Sequence, residues 1–326
     1  MTSKIKIAFI YNPTSPFLTG NHFDNTTYFF FMHALKRNKK MDVTYFSAVE
    51  KFDTQQLKGK YDIILLPDNF IEGSPHILDG IDTVNIPVIS RVGDPHDARR
   101  KGKISYNKKF KINYYFNFMS DSYFHKFYPS EFKYKTIIFG LEPALYENPK
   151  PFSQRIKHKI INSGAVGKIS LKSRVANRVL NPKRSSWYFY KLRTLCNTLS
   201  YVDYNPMNNG RYIYDNYVEM LYNYRGAIAA TTYYPTIKYW EIPASGCLTF
   251  MEITKKNDGE YLGYVDGKNA IFIDESNYNK KFSEFLQNPD DPHWEQIAKN
   301  GREYALANFS NDKATDKLVQ LMEELI

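Results

Sequence analysis

The sequence predicts an α/β protein made of two Rossmann-like domains facing across a cleft. Three observations predict it. Short apolar runs alternate with helix-like stretches through the first half of the chain. The alternation restarts after a proline-rich break. The length, 326 residues, suits two domains of ordinary size better than one. Strands alternating with helices in this way build parallel sheets.

In the first half, IKIAFIY (5–11) is β-like, and DNTTYFFFMHALKRN (24–38) is helix-like with Asp24 or Asn25 as N-cap. VTYF (43–46), YDIILLP (61–67), IPVISRV (86–92) and YYFNFMS (114–120) read as strands. A helix is expected around 121–127, followed by the short run YKTIIFG (134–140). In such sheets ligands bind beyond the carboxyl ends of the strands. That directs attention to the loops at 11–22 and 93–100.

Residues 141–156, LEPALYENPKPFSQRI, are rich in proline and polar groups and read as a linker. The first domain is therefore placed at 1–150 and the second at 151–310, with a final helix at 311–326. In the second half KHKIINSG (157–164), LSYVDY (199–204), GAIAAT (226–231), CLTFME (247–252) and NAIFID (269–274) read as strands. SLKSRVANRVL (170–180), a stretch near 214–223 and TIKYWEIPASG (236–246) read as helices, and 277–326 is helical. There is no repeat, heptad or low-complexity tract.

Composition narrows the setting. No apolar run approaches the roughly 20 residues of a membrane span, and the N-terminus lacks a signal-peptide core. The two cysteines, Cys196 and Cys247, provide no disulfide framework. A reducing, cytoplasmic location is the expectation. Net charge is +10, but unevenly spread. Residues 1–150 carry 21 basic and 15 acidic side chains, 151–230 carry 13 and 3, and 231–326 carry 10 and 16. The basic middle and the cluster RRKGKISYNKKFK (99–111) favour anionic partners: phosphates, an acidic membrane surface or nucleic acid. Any single lysine among them reads better as a solubilising surface residue.

Three stretches carry chemistry. In INSGAVGKISLKSR (161–174) a strand ends, glycines turn the chain and a helix follows. Amides at such a turn hold phosphate oxygens, and Gly164, Lys168, Lys172 and Arg174 lie within its reach. A plain strand–helix turn with surface lysines fits the same residues. In KYWEIPASGCLTF (238–250), Glu241 sits early in the expected helix, where its carboxylate can accept two hydrogen bonds from a ribose diol. A first-turn glutamate complementing the helix dipole is the competing reading. Gly246 is expected to end that helix in the left-handed conformation. Lys238 and Thr236, at the helix start, complete the donor-side set. In GDPHDARR (93–100), Asp94 and His96 follow a strand and suit a general base, although a polar loop with local Asx bonding fits too. His22, in the first strand–helix loop, reaches toward the same place. Metal binding is not expected, since the chain has no Asp-x-Asp triplet. P-loop, dinucleotide and nucleophile-elbow motifs are also absent.

Taken in order, these motifs resemble the two-domain GT-B glycosyltransferases, and more closely the CgeB-like (spore-maturation-type) group. The likeness rests on GDPHD (93–97), IIFGLEPALY (137–146), INSGAVGKISLKSR, KYWEIPASGCLTF and the tail GREYALANFSNDKATDKLVQLM. It covers most of 86–322. The resemblance implies donor binding by the second domain, with Glu241 on the ribose and the basic residues on the diphosphate. It implies no cofactor beyond a nucleotide-sugar co-substrate. The chain departs from the pattern at two places: Tyr233 stands where many retaining members have a sugar-contacting Glu, and Lys238 stands where Arg is common. The expected function is metal-independent glycosyl transfer to an acceptor hydroxyl. The acceptor is expected to be anionic, either a lipid-linked glycan at a membrane surface or modified DNA. The alternative is a non-catalytic nucleotide-sugar or glycan-binding protein on the same scaffold.

Overall fold

The computed structural model describes residues 4–15, 17, 26–68, 73–99, 102–167, 170–172, 175, 179, 186–206 and 215–326. These form two compact units. The first comprises 1–142 and 309–326, and the second 143–308.

Unit 1 carries strands β1 (Ile5–Tyr11), β2 (Met41–Ser47), β3 (Lys51–Asp53), β4 (Ile63–Leu66), β5 (Ile77–Asp79), β6 (Val88–Arg91), β7 (Ile112–Asn117) and β8 (Tyr134–Thr136). Six of them make a parallel sheet in the order β2-β1-β4-β6-β7-β8. The near-continuous apolar runs of β1 and β4 follow from burial on both sheet faces: Ile7, Phe9 and Leu65 enter one core cluster, and Ala8, Ile10 and Ile64 the other. β3 and β5 form a separate parallel pair. Their three-residue length left them unread in the sequence.

The expected helix at 24–38 is present from Thr26, but its middle, Phe29–Ala34, is π-helical. Phe30 and Phe31 from that segment are fully buried. Phe30 stacks on Phe139 at 4.8 Å. The helix Asn311–Glu323 buries Ala314, Leu318, Val319, Leu321 and Met322 in the same cluster. Its start is fastened by polar groups. Arg37 forks onto Glu142 at 2.9 and 3.2 Å, and Asn311 donates to Glu142 at 3.0 Å and accepts from the Gly140 amide at 2.8 Å.

Unit 2 holds a five-stranded parallel sheet ordered β10-β9-β11-β12-β13. The strands are β9 (Ile156–Ser163), β10 (Val202–Asn205), β11 (Tyr224–Ala229), β12 (Leu248–Glu252) and β13 (Ile271–Ile273). The helix expected at 236–246 spans Lys238–Ala244, and all seven of its residues are buried. It ends at Gly246, which takes φ +76°, a conformation glycine adopts without penalty. Arg155 donates to the Ser245 carbonyl at 2.9 Å and Arg302 donates to the Ala244 carbonyl. Both cations satisfy the electronegative end of the helix. The helical tail divides into Tyr278–Gln287, Pro292–Phe309 and Asn311–Glu323. Two helices, Ser186–Phe189 and Lys191–Cys196, were not anticipated. Among the described residues no helix is long and apolar enough to cross a membrane.

Candidate functional site

Parallel sheets focus ligands at the carboxyl ends of their strands. In unit 2, β9 ends at Ser163 and the chain turns at Gly164, which has φ +85°. The turn is held on several sides. The Gly164 amide donates to the Asn205 carbonyl at 2.8 Å, and Tyr204 Oη donates to the Gly164 carbonyl at 2.9 Å. The Gly167 amide donates to Thr194 Oγ1 at 2.7 Å.

Two cations converge on this turn. A Cβ placed on Gly164 would lie 3.2 Å from Lys238 Cε, 3.4 Å from Lys238 Nζ and 3.8 Å from an Arg193 guanidinium nitrogen. A side chain at 164 would therefore fill the space before the charges. Each cation is only 2% exposed. Lys238 Nζ donates to Ser163 Oγ at 2.8 Å and to Tyr217 Oη at 3.4 Å, and lies 5.0 Å from the Tyr217 ring centroid. Arg193 donates to the Ala165 carbonyl from Nε at 3.0 Å and from Nη2 at 2.5 Å, and stacks on Tyr190 at 4.2 Å. Among the described residues no carboxylate lies within ion-pairing distance of Arg193. Burial pushes the Lys238 ammonium down to about 7, helped by the Arg193 charge and opposed by Glu241. Burial also lowers Arg193. Two buried like charges beside a glycine turn form a site that a phosphate anion would stabilise.

Glu241 lies on the Lys238–Ala244 helix in its first turn and is 1% exposed. Its charge, second to burial, raises the Tyr146 and Tyr217 phenols. The carboxylate is thus buried among tyrosines beside Lys238. At the end of β12, Glu252 is 5% exposed, and burial first, then Glu275, raises its carboxyl to about 7.

The structure brings together Gly164, Lys238 and Glu241 from the expected set. Lys172 is exposed. Thr236 lies apart, lining a recess with Phe189, Tyr190, Thr231, Tyr233 and Tyr234. Lys168, Arg174 and His22 lie outside the described residues. Sequence reasoning missed Arg193, Tyr217 and Glu252. Arg193 sits in KLRTLC, which carries no motif, whereas the acid closing the apolar run LTFME was a visible signal.

In unit 1 the GDPHD loop follows β6, and Pro95–Asp97 form a 3₁₀ turn. Asp94 is exposed and His96 half-buried. The loop rests on Asp68, at the end of β4. Arg91 Nη2 pairs with Asp68 Oδ2 at 2.8 Å, and buried Lys103 approaches Oδ1 at 4.0 Å. Gly93 lets Lys103 Nζ pass against the backbone. Among the described residues no group of three or more His, Cys, Asp or Glu side chains is arranged to hold a metal ion.

No family model matches the chain, and no curated protein matches it in sequence. Solved structures match along its whole length. HepE of Anabaena, in complex with UDP and glucose, aligns over 98% of this chain and 100% of its own at TM-score 0.54 and 11% identity. An alpha-glucosyltransferase in complex with UDP and a 13-mer DNA containing a HMU base aligns over 98% and 100% at TM-score 0.58 and 9% identity. Sucrose-phosphate synthase from Thermosynechococcus elongatus aligns over 99% of both chains at TM-score 0.56 and 11% identity. The fold is the GT-B fold that these glycosyltransferases share.

Proposed function

We propose that the protein is a glycosyltransferase that moves a sugar from a nucleoside-diphosphate sugar to an acceptor hydroxyl without a metal ion. One observation carries the reading: Lys238 and Arg193, both buried, converge on the Gly164 turn at the carboxyl edge of the second sheet. In glycosyl transfer the bond between the anomeric carbon and the diphosphate oxygen breaks, and negative charge grows on the departing diphosphate. Fixed cations and turn amides meet that charge, a contribution of several kcal/mol in comparable sites. The two side chains supply the positive charge that a metal ion supplies elsewhere.

Glu241 anchors the nucleoside side through the ribose, and the exposed Lys172 adds positive charge. In unit 1, Asp94 or His96 acts as general base in an inverting reaction and orients the acceptor in a retaining one. The UDP complexes of HepE and the alpha-glucosyltransferase support a uridine donor. The motif likeness to the CgeB-like group supports the same class of reaction. No acidic residue occurs between Glu147 and Asp203, which supports an anionic acceptor, a lipid-linked glycan at a membrane surface or DNA.

The test is a thermal-shift series with UDP-, GDP-, ADP-, CMP- and dTDP-sugars in EDTA. A ligand at a hundred times its Kd adds about 2.7 kcal/mol to the folded state. A shift with one nucleotide family, lost in Lys238→Met and Glu241→Ala, is expected. No shift with any donor in a folded protein would refute the reading.

A further inference from the structure

We propose that unit 2 docks on an anionic lipid surface through the helix face that carries Leu171, Val175 and Val179. The inference goes beyond the donor reading and does not depend on it. Leu171, Val175 and Val179 are helical and are 76%, 57% and 75% exposed. Among the described residues, Leu171 and Val179 are the most exposed of the large hydrophobic side chains. One exposed leucine or valine is ordinary on a protein surface. Three at steps of four residues form a stripe. Each step turns an α-helix by about 40°, so the three side chains share one face. The fold leaves that face in water.

The sequence around the stripe is basic. Residues 168–184 include Lys168, Lys172, Arg174, Arg178, Lys183 and Arg184 and no acid. Lys172 is exposed. A basic helix with an apolar stripe suits the plane of a lipid surface: the stripe enters the acyl boundary and the cations meet lipid phosphates. Other occupants match half of this chemistry. A nucleic acid would meet the cations but give the apolar stripe nothing to enter. A second copy would bring like charges against like. The segment is also tied to the candidate site. A Cβ on Gly167 would lie 2.8 Å from the Trp187 nitrogen and Cα, so the two ends of the segment meet. The Gly167 amide donates to Thr194 Oγ1 at 2.7 Å. This neck stands three residues past Gly164. Lipid contact by the stripe therefore holds the Gly164 turn near the surface on which a lipid-linked acceptor is carried.

The experiment is sedimentation of the full chain with vesicles of phosphatidylcholine alone and with about one third phosphatidylglycerol, no nucleotide being present. Binding to the anionic vesicles should be about tenfold or more tighter than to the neutral ones, and should be lost as salt is raised to about 0.5 M. The triple variant Leu171→Ser, Val175→Ser, Val179→Ser keeps every charge and alters only exposed side chains. It should keep the wild-type Tm and weaken vesicle binding about tenfold or more. Val175→Trp should bind more tightly, with its fluorescence shifted to the blue on anionic vesicles. No vesicle binding by wild type, or undiminished binding by the triple variant, would overturn the proposal. Equal binding to both vesicles would overturn its anionic part. Binding of duplex DNA, or dimerisation, that the triple variant loses while vesicles are ignored would assign the face to another occupant. Nucleotide binding is read separately by calorimetry, so failure of the donor reading leaves this result standing, and the reverse.

Discussion

Replacing Lys238 by Met should make the protein more stable and a poorer nucleotide binder. The side chain is 2% exposed, and burial with the Arg193 charge lowers its ammonium from 10.5 to about 7. The sign follows from linkage. Between pH 7 and 10.5 the unfolded chain holds a proton on this lysine that the folded chain has lost. Stability therefore rises with pH through that window, by about 1.4 kcal/mol per unit. Below pH 7 the folded state bears the full penalty of a buried ammonium, at most about 5 kcal/mol. Met keeps the volume and removes the charge, so the pH slope should vanish and stability at pH 7 should rise. The assay is urea unfolding at pH 6 to 10 followed by tryptophan fluorescence. Trp187, Trp240 and Trp294 all belong to unit 2, so the signal reports the unit that holds the site. Bound UDP should flatten the wild-type slope by keeping Lys238 protonated. An unchanged slope in Lys238→Met, or unchanged UDP affinity, would refute the reasoning.

The remaining expectations follow from the same geometry. Arg193→Met should weaken nucleoside diphosphate binding tenfold or more by calorimetry, since a hydrogen bond from a charged group contributes about 1.5–3 kcal/mol. Gly164→Ala forces a Cβ against Lys238 at a positive φ, so it should cost about 1–3 kcal/mol in the same urea assay and weaken UDP as well. Glu252 works in the opposite sense from Lys238: burial raises its carboxyl from the usual 4.5 to about 7, so its contribution is present below pH 4.5 and lost by pH 7. Glu252→Gln should remove the fall in stability across that window. Leu318→Ala, fully buried in the unit 1 core, should lower stability by about 2–5 kcal/mol, seen as a drop in Tm.

Much of the fold was legible because buried parallel strands read as apolar runs. IKIAFIY matched β1 residue for residue, and KHKIINSG differed from β9 by one residue at each end. The Gly246 terminus was legible because only a glycine accepts its φ cheaply. β3 and β5 were not, since three residues carry no periodicity. Nor was the π-helical middle of the first helix, where a run of aromatics packs against Phe139, a partner more than a hundred positions away.

The site divides the same way. By itself the sequence determined the local pieces: a glycine turn after a strand, a helix opening with Lys238 and Glu241, and a polar loop after β6. Local chemistry decides these, because turns, caps and strand ends depend on neighbours in the chain. Only the tertiary structure decided which cations meet at the turn. Lys172, eight residues past Gly164, is exposed, while Lys238 and Arg193 arrive from 74 and 29 positions away and are buried against it. Burial decided their chemistry too, because a charge is perturbed by the water it loses and by its neighbours in space, and the sequence states neither.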